Sequence, residues 1–345
     1  MRMVKPVCGD LLLIGLVMVT GCAEPGAVLT IYSPHGRDHL VLFEDRFETL
    51  HPDVNVQWVD MGSQEVFDRV RSERANPQAD VWFGGPEVFF ARAAAEGLLE
   101  PYRPVWADSV LPAARGPDDL YFGVYLTPAV ITFNSDAVSR DQAPQDWDDV
   151  LDPRWRGQVL IRDPLASGTM HMIFGTIMYR GLQATGDTAA GYEWLRRLDA
   201  QTKEYVLNPA ILYQKLVRRE GLLTLWDLPD VLHVQDRGFP LDYVLPKSGT
   251  PVLVDGIAVI KGAEQPELAR AFVDYVGSVE GQLLAARRAF RNLTRTDIPA
   301  DSLPEWLIQV TSKLKPMNLD WDLLESHGRE WMRYWDAHIR GRGQR

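Results

Sequence analysis

Between Val28 and about residue 95 the chain repeats one pattern three times: a short apolar run, a polar turn containing glycine, then a segment whose apolar residues recur every three or four positions. Val28–Tyr32, Asn55–Val59 and Asp80–Phe83 read as strands. Leu40, Phe43, Phe47 and Leu50 share one helical face, and Val66, Phe67 and Val70 share another, in a helix from about Gln64. A third helix is expected from about Pro86, where proline suits a first turn. Each helix carries the chain back to the end of the sheet where the previous strand began. Alternation at this pace therefore demands an α/β fold with a mainly parallel sheet and helices packed on its faces.

The turns that follow those strands read Ser33-Pro34-His35-Gly36-Arg37, Asp60-Met61-Gly62-Ser63 and Gly84-Gly85-Pro86. In open α/β sheets the ligand crevice lies beyond the carboxyl ends of the strands, where glycine admits close backbone approach and helix N-termini favour negative charge. Ser33, His35, Gly36, Arg37, Gly62, Ser63, Gly84 and Gly85 are therefore the first candidate ligand contacts. A second α/β unit follows. Gln158–Ile161 reads as a strand, and Asp163-Pro164-Leu165-Ala166-Ser167-Gly168-Thr169 leads into a helix with Ile173, Phe174, Ile177 and Met178 on its apolar face. Ser167 is a natural N-cap, and with Gly168 and Thr169 it suits either its own helix end or a carboxylate, phosphonate or phosphate. Asn208-Pro209 opens another helix, and Leu222–Leu225 is a buried-type strand whose exit loop is expected at Trp226-Asp227-Leu228-Pro229-Asp230.

Two extended segments, Pro128–Phe133 and Val252–Val254 with Gly256–Ile260, look like passages between lobes, with Asp255-Gly256 between the last two. Later helices carry Leu268, Phe272 and Val276 on one face and then Trp306, Trp321, Trp331 and Trp335, read as core or lobe-packing residues. The tail Arg340–Arg345 reads as a solvated end.

A length of 345 residues accommodates two domains. Lys and Arg number 36 against 47 Asp and Glu, and the formal charge of -11 repels phosphate backbones, so nucleic acid is not an expected partner. Both cysteines, Cys8 and Cys22, fall near the N-terminus, which excludes a disulfide framework or a cysteine zinc site in the body. Arg2 and Lys5 precede the apolar run Leu11–Val19, an export-signal pattern too short for a spanning helix. Val19-Thr20-Gly21-Cys22 then resembles the lipobox of bacterial lipoproteins, which makes Cys22 the expected lipid anchor and residues 1–21 a signal peptide. The body is expected in aqueous space outside the cytoplasmic membrane.

Catalytic signatures are weak. There is no Gly-x-Ser-x-Gly elbow, P-loop or His-Glu-x-x-His helix. Ser312-Lys-Leu-Lys315 and Lys247-Ser-Gly249 match pieces of the penicillin-interacting serine enzymes in the wrong order. His35 and His39 stand four apart without an indicated third metal ligand, so one is expected to face the site and the other to be solvated. No catalytic residue, metal or cofactor is assigned.

Several segments together resemble the type II periplasmic solute-binding proteins of ATP-driven importers, in the ferric-iron-transport branch: Leu29-Thr-Ile-Tyr-Ser33, Ala79-Asp-Val-Trp-Phe-Gly-Gly85, Glu96-Gly-Leu-Leu-Glu-Pro-Tyr102, Asp163 through Thr169, Val254-Asp-Gly-Ile-Ala-Val-Ile-Lys-Gly262, and Pro266 through Tyr275. The resemblance implies two lobes on a two-strand hinge that close on one solute and dock on an ABC permease with its ATPase, in a monomer. On this reading residues 22–128 begin lobe 1, 129–252 form lobe 2, 253–292 return to lobe 1, and 293–345 are helices packed on lobe 2. Ferric-binding members carry adjacent tyrosines where this chain has Trp226-Asp227, and a first-lobe carboxylate where it has Gly84-Gly85; His35 is shifted by a residue. A small organic or phosphorus-containing anion suits Ser167–Thr169 better, with His35 or Arg37 as counter-charge. Iron carried with a chelating anion, a cationic or polar solute held by Asp227, Asp230 or Asp255, and a secreted hydrolase or transferase on the same scaffold stand as alternatives.

Overall fold

The computed structural model describes residues 26–343. The expected signal peptide and Cys22 lie outside the described residues, as do the last two residues of the tail. Chain order begins β1 (Ala27–Ser33), α1 (Arg37–Leu50), β2 (Val54–Asp60), α2 (Ser63–Ser72), β3 (Val81–Pro86), α3 (Glu87–Ala95) and β4 (Leu99–Glu100). After short 3-10 turns come β5 (Phe122–Asn134), β6 (Val159–Arg162), α4 (Gly168–Thr185), α5 (Ala189–Gln201), β7 (Thr202–Val206), α6 (Pro209–Val217), β8 (Leu223–Asp227), α7 (Leu228–Asp236) and β9 (Leu241–Val244). The chain then returns through β10 (Val252–Ile260), α8 (Pro266–Gly277), α9 (Val279–Arg288) and β11 (Asn292–Leu293), and ends in α10 (Glu305–Lys313) and α11 (Trp321–His338).

The strands run in the order β2-β1-β3-β10-β5-β8-β6-β7. The outer strands of each lobe are parallel as expected, β1 with β2 and β3, and β6 with β7 and β8. The middle of the sheet is antiparallel, because β5 and β10 are crossings between lobes rather than members of a strand–helix repeat. β5 is a single 13-residue strand: Phe122 to Pro128 pair with β10, and Ala129 to Asn134 pair with β8 and β9. The first passage thus begins at Phe122, six positions before the expected Pro128. The second is one strand interrupted by a register shift at Asp255/Gly256, where a Cβ would stand 2.6 Å from the Phe90 ring and only glycine fits.

Side chains divide into separate cores. Leu29, Ile31, Phe43, Phe47, Phe83 and Phe272 pack in the first lobe, with Val66, Phe67, Trp82 and Phe90 on the opposite face of its sheet. The second lobe is built on Ile131, Phe133, Leu160, Ile173, Phe174 and Leu225, and Trp331 and Trp335 of α11 are buried in that core. Residues just past β11 stay with the first lobe: Thr294 Oγ1 donates to the Gly123 carbonyl and Thr296 N–H to Ser109.

The tail departs from expectation. Arg340 pairs with Asp163, and the N–H groups of Gly341 and Gly343 donate to Asp199 at 2.8 and 2.6 Å. Asp163 and Asp199 are both buried, and a buried carboxylate without donors is costly, so the last described residues are drawn in to satisfy them.

Candidate ligand-binding cleft

The ends of β1, β2 and β3 reach one edge of the first lobe and deliver the starts of α1 and α2 there. Their N-caps, Gly36 and Gly62, have extended backbones and no side chain that could accept from the first-turn amides. His39 N–H already donates to the Gly36 carbonyl at 3.0 Å, the earlier N–H groups are left to a ligand or water, and the helix dipole makes the place attractive to anions. Gly84 and Gly85 follow at φ of 97° and 93°, a region that glycine alone enters readily. A Cβ on Gly84 would lie 2.3 Å from His35 Nε2, and one on Gly85 would lie 2.9 Å from Ser63 Oγ. These two glycines therefore let the turns of β1 and α2 close over the end of β3.

Across the lobe boundary stands the start of α4. Ser167 caps it, its Oγ accepting from Met170 N–H at 3.2 Å, while Gly168 and the half-buried Thr169 form the first turn. A Cβ on Gly62 would be 4.0 Å from the Ala166 carbonyl oxygen, and one on Gly168 would be 3.5 Å from Pro86. Beside this contact lies a cavity of about 500 Å³, lined by Gly62 and Gln64 of α2, Arg92 of α3, Ser167, Gly168 and His171, and Trp321 and Arg329 of α11. Burial, and then the charge of Arg329, lower the His171 pKa to about 4, so its ring is neutral near pH 7. Arg92 lies 4.1 Å over the Phe67 ring and 3.9 Å from Glu325.

A smaller cavity of about 170 Å³ is lined by Gly36, Arg37, His39, Asp230, Arg288 and Arg291 among others, and a buried polar seam runs inward from Arg291. In the seam Asp255 accepts from Thr127 Oγ1 at 2.8 Å and lies 3.6 Å from Arg291, whose other terminal nitrogen is 3.4 Å from His35 Nδ1. Burial holds the His35 and His39 pKa values well below the usual range, reinforced for His35 by Arg291 and for His39 by His35 and Arg291. Burial raises Asp255 against the pull of Arg291, and raises Asp227 well above the ordinary carboxylate range with help from the Asp230 charge. His39 is thus not solvated as expected. Its ring packs 4.5 Å from that of His35 and 5.5 Å from Phe83.

The expected exit loop at Trp226–Asp230 does not exist. β8 runs directly into α7, because Asp227 is an N-cap that accepts from Asp230 N–H at 3.1 Å and Pro229 occupies the first turn. Trp226 is buried, its Nε1 donating to Asp230 at 3.0 Å. Ser33 is also buried, its Oγ accepting from His35 N–H at 3.1 Å. The expected contacts are thus distributed. Gly62, Ser167 and Gly168 line the larger cavity, Gly36 and Arg37 the smaller one, and Ser33, His35, Trp226, Asp227 and Asp255 lie in or beside the seam. Arg92, His171, Arg291, Trp321 and Arg329 were not anticipated. Arg291 alone had a signal, as the last of three arginines, with Arg287 and Arg288, at and just past the end of a helix.

The lobes also meet through side chains. Asp38, in the first turn of α1, pairs with Arg237 and lies 3.3 Å from His233 Nε2, both beyond the cleft. Among the described residues no group of three or more His, Cys, Asp or Glu is placed to hold a metal ion, and no helix is long and apolar enough to cross a membrane.

Two lobes that share crossing strands, with polar helix starts facing each other at the boundary, define a receptor built to enclose a small solute. Residues 76–327 match the model of a family described as bacterial extracellular solute-binding protein, and the chain belongs to that family. It is 31% identical over 278 residues to an uncharacterized protein of Haemophilus influenzae, covering 78% of each chain. It is 26% identical over 318 residues to a probable ABC transporter periplasmic-binding protein, y4fP, of Sinorhizobium fredii, covering 90% of this chain and 86% of that one. Among solved structures it resembles the periplasmic binding protein AfuA from Actinobacillus pleuropneumoniae with fructose-6-phosphate bound. The TM-score is 0.78 at 26% identity, over 92% of this chain and 99% of that one. The protein is accordingly an ABC-importer solute-binding protein of type II fold, a class that delivers small molecules to a permease outside the cytoplasm.

Proposed function

We propose that the solute is a small anion carrying a phosphate or phosphonate group, and that it is held in the 500 Å³ cavity between the starts of α2 and α4. One observation carries this reading: two helix N-termini, one from each lobe, converge on a cavity lined by Arg92 and Arg329, with Glu65, Asp68 and Glu325 also in its wall. First-turn amides, helix dipoles and guanidinium groups are the set that recognises a phosphoryl oxygen cluster. Gly62, Ser63, Gly168 and Thr169 then supply backbone donors, and Gly85 leaves room for the Ser63 side chain at the start of α2. The fructose-6-phosphate held by AfuA supports the same ligand class.

The body operates as a monomer tethered through a lipid on Cys22, with β5 and β10 as the hinge between a first lobe and a second that begins near Ala129. Ligand contacts made only when the lobes meet shift the open–closed equilibrium, and the closed form docks on the permease. The protein binds its solute without turning it over.

The test is thermal unfolding of residues 23–345 against sugar phosphates, phosphonates, carboxylates, amino acids, polyamines and ferric citrate. A ligand at a hundred times its dissociation constant adds about 2.7 kcal/mol. Stabilisation by a phosphate or phosphonate, abolished in Arg92→Ala and with the compound recovered unchanged, is the expected result. Stabilisation by ferric citrate or polyamines alone would overturn the ligand class.

A further inference from the structure

We propose that Arg340 is a positioning residue for solute binding. From beyond the end of α11 it fixes the turn 163–167 that carries Ser167 and Gly168 to the larger cavity, a role that rests on the anion reading of that cavity.

The turn hangs on one carboxylate. Asp163, 3% exposed, accepts from Leu165 N–H through Oδ1 at 2.8 Å and from Arg340 through Oδ2. Its backbone is tied as well, its N–H donating to the Val206 carbonyl at 3.0 Å and its carbonyl accepting from Ala166 N–H at 3.2 Å. Ser167 follows directly and caps α4. Among the described residues no other cation lies within 4.0 Å of this carboxylate. A buried carboxylate stripped of its cation is costly. Turning it out to water would release the Leu165 N–H and loosen the residues that lead to Ser167 and Gly168.

Arg340 is itself held. Its second terminal nitrogen donates to Asp336 at 3.1 Å and its backbone N–H to the Trp335 carbonyl at 3.0 Å, while its guanidinium lies 5.3 Å from the centre of the Tyr205 ring. Past it the N–H groups of Gly341 and Gly343 reach Asp199, and a Cβ on Gly343 would stand 2.5 Å from the Ala200 nitrogen, so the segment passes close against the end of α5. The same α11 supplies Trp321, Leu324 and Arg329 to the cavity wall. One helix thus forms part of the wall and, through Arg340, sets the turn beside it. The family match ends at residue 327, so Arg340 lies beyond it. Groups that orient the residues touching a ligand, without touching it themselves, change affinity about tenfold or more where metal sites have been measured.

Amide hydrogen exchange and a titration of inorganic phosphate, both followed in ¹⁵N-labelled residues 23–345, test this. In Arg340→Ala exchange at Leu165 and Ala166 should quicken, and the phosphate response at Gly168 to Met170 should weaken about tenfold. Arg340→Lys keeps a cation for this single-nitrogen contact and should retain most of both. Leu241→Ala, a cavity in the core of the same lobe on β9, should lower stability while changing neither. Unchanged exchange in Arg340→Ala, changes no larger than those in Leu241→Ala, or an Arg340→Lys as impaired as Arg340→Ala would overturn the assignment and leave the anion reading intact. A parent protein silent to phosphate at Gly168–Met170 would remove the anion reading, and with it any part for Arg340 in affinity.

Discussion

Gly84→Ala should be among the most damaging single-methyl additions in the cleft, and its cost separates into two parts. The backbone at φ 97° is unfavourable for any residue with a Cβ, by about 1–2 kcal/mol. The new carbon would also lie 2.3, 2.5 and 2.8 Å from three atoms of the His35 ring. That ring has little room to withdraw, because His39 and Phe83 pack against it with centroids at 4.5 and 5.1 Å. Overpacking of this kind costs about 1–3 kcal/mol, for a total of about 2–5 kcal/mol. With an unfolding entropy of about 2.1 cal/mol/K per residue over roughly 320 residues, that is a loss of about 3–7 °C in Tm. Gly97→Ala is the matched control, since Gly97 has a φ of 68° with no atom within 4 Å of its Cβ position, so it carries the backbone term alone. In a His35→Ala background Gly84→Ala should fall to the level of that control, a coupling of at least 1 kcal/mol in a double-mutant cycle, about the smallest overpacking cost. If Gly84→Ala costs no more than Gly97→Ala, or if removing the His35 ring restores nothing, the packing account of this glycine is wrong.

Two further changes probe features away from the cavities. Arg340→Ala should leave the buried Asp163 without its cation, costing about 2 kcal/mol, between the values for exposed and fully buried pairs. Asp163 also accepts from Leu165 N–H at 2.8 Å in the turn that leads to Ser167, so solute affinity should fall along with the urea midpoint, and adding Asp163→Asn should recover part of the midpoint. Acid should destabilise the fold through His35 and His39. Their folded pKa values lie well below 6.5, so their contribution is complete above about pH 6.5 and declines as the pH falls, because the unfolded chain takes up protons that the folded one refuses. Each contributes a slope of up to about 1.4 kcal/mol per pH unit below that point. Asp227 and Asp255 act in the opposite sense, their raised values favouring the fold at low pH and losing that contribution as the pH rises past about 4. Melting from pH 7 to pH 5 should show the histidine slope reduced in His39→Phe; an unchanged profile would contradict this account.

The strand–helix alternation was legible because it rests on side-chain periodicity, which depends only on which face meets the sheet. β1 to α3 appear where Val28, Phe43, Val66 and Pro86 indicated, except that β3 runs on to Pro86 and takes in the expected Gly84-Gly85-Pro86 turn. The crossing strands were only half legible: burial on both faces removes alternation, and the start of β5 at Phe122 carries no boundary residue. His39 was misread because spacing alone does not show that Phe83 and Tyr125 roof that part of α1. Asp227 looked like a loop carboxylate because a helix N-cap and a loop aspartate share the same local sequence. The docked tail was invisible for a different reason, since Asp163 and Asp199 lie more than a hundred residues from the groups that satisfy them. Arg92 and Arg329 come from different lobes, and only the assembled fold brings them to one cavity.

The place where the chain changes sheets has proline on both crossings. Pro128 stands opposite Val252, and Pro251 immediately precedes it. Neither offers an N–H, and the Ala129 amide donates to the Pro251 carbonyl at 3.0 Å. A swing of one lobe against the other therefore has little ladder to tear, and the barrier to opening is set by the side chains that meet across the cleft. Residence time, how long a captured molecule stays enclosed before the permease receives it, should then respond to changes at Asp38, Arg237 or Glu325 far more than to changes in the hinge itself.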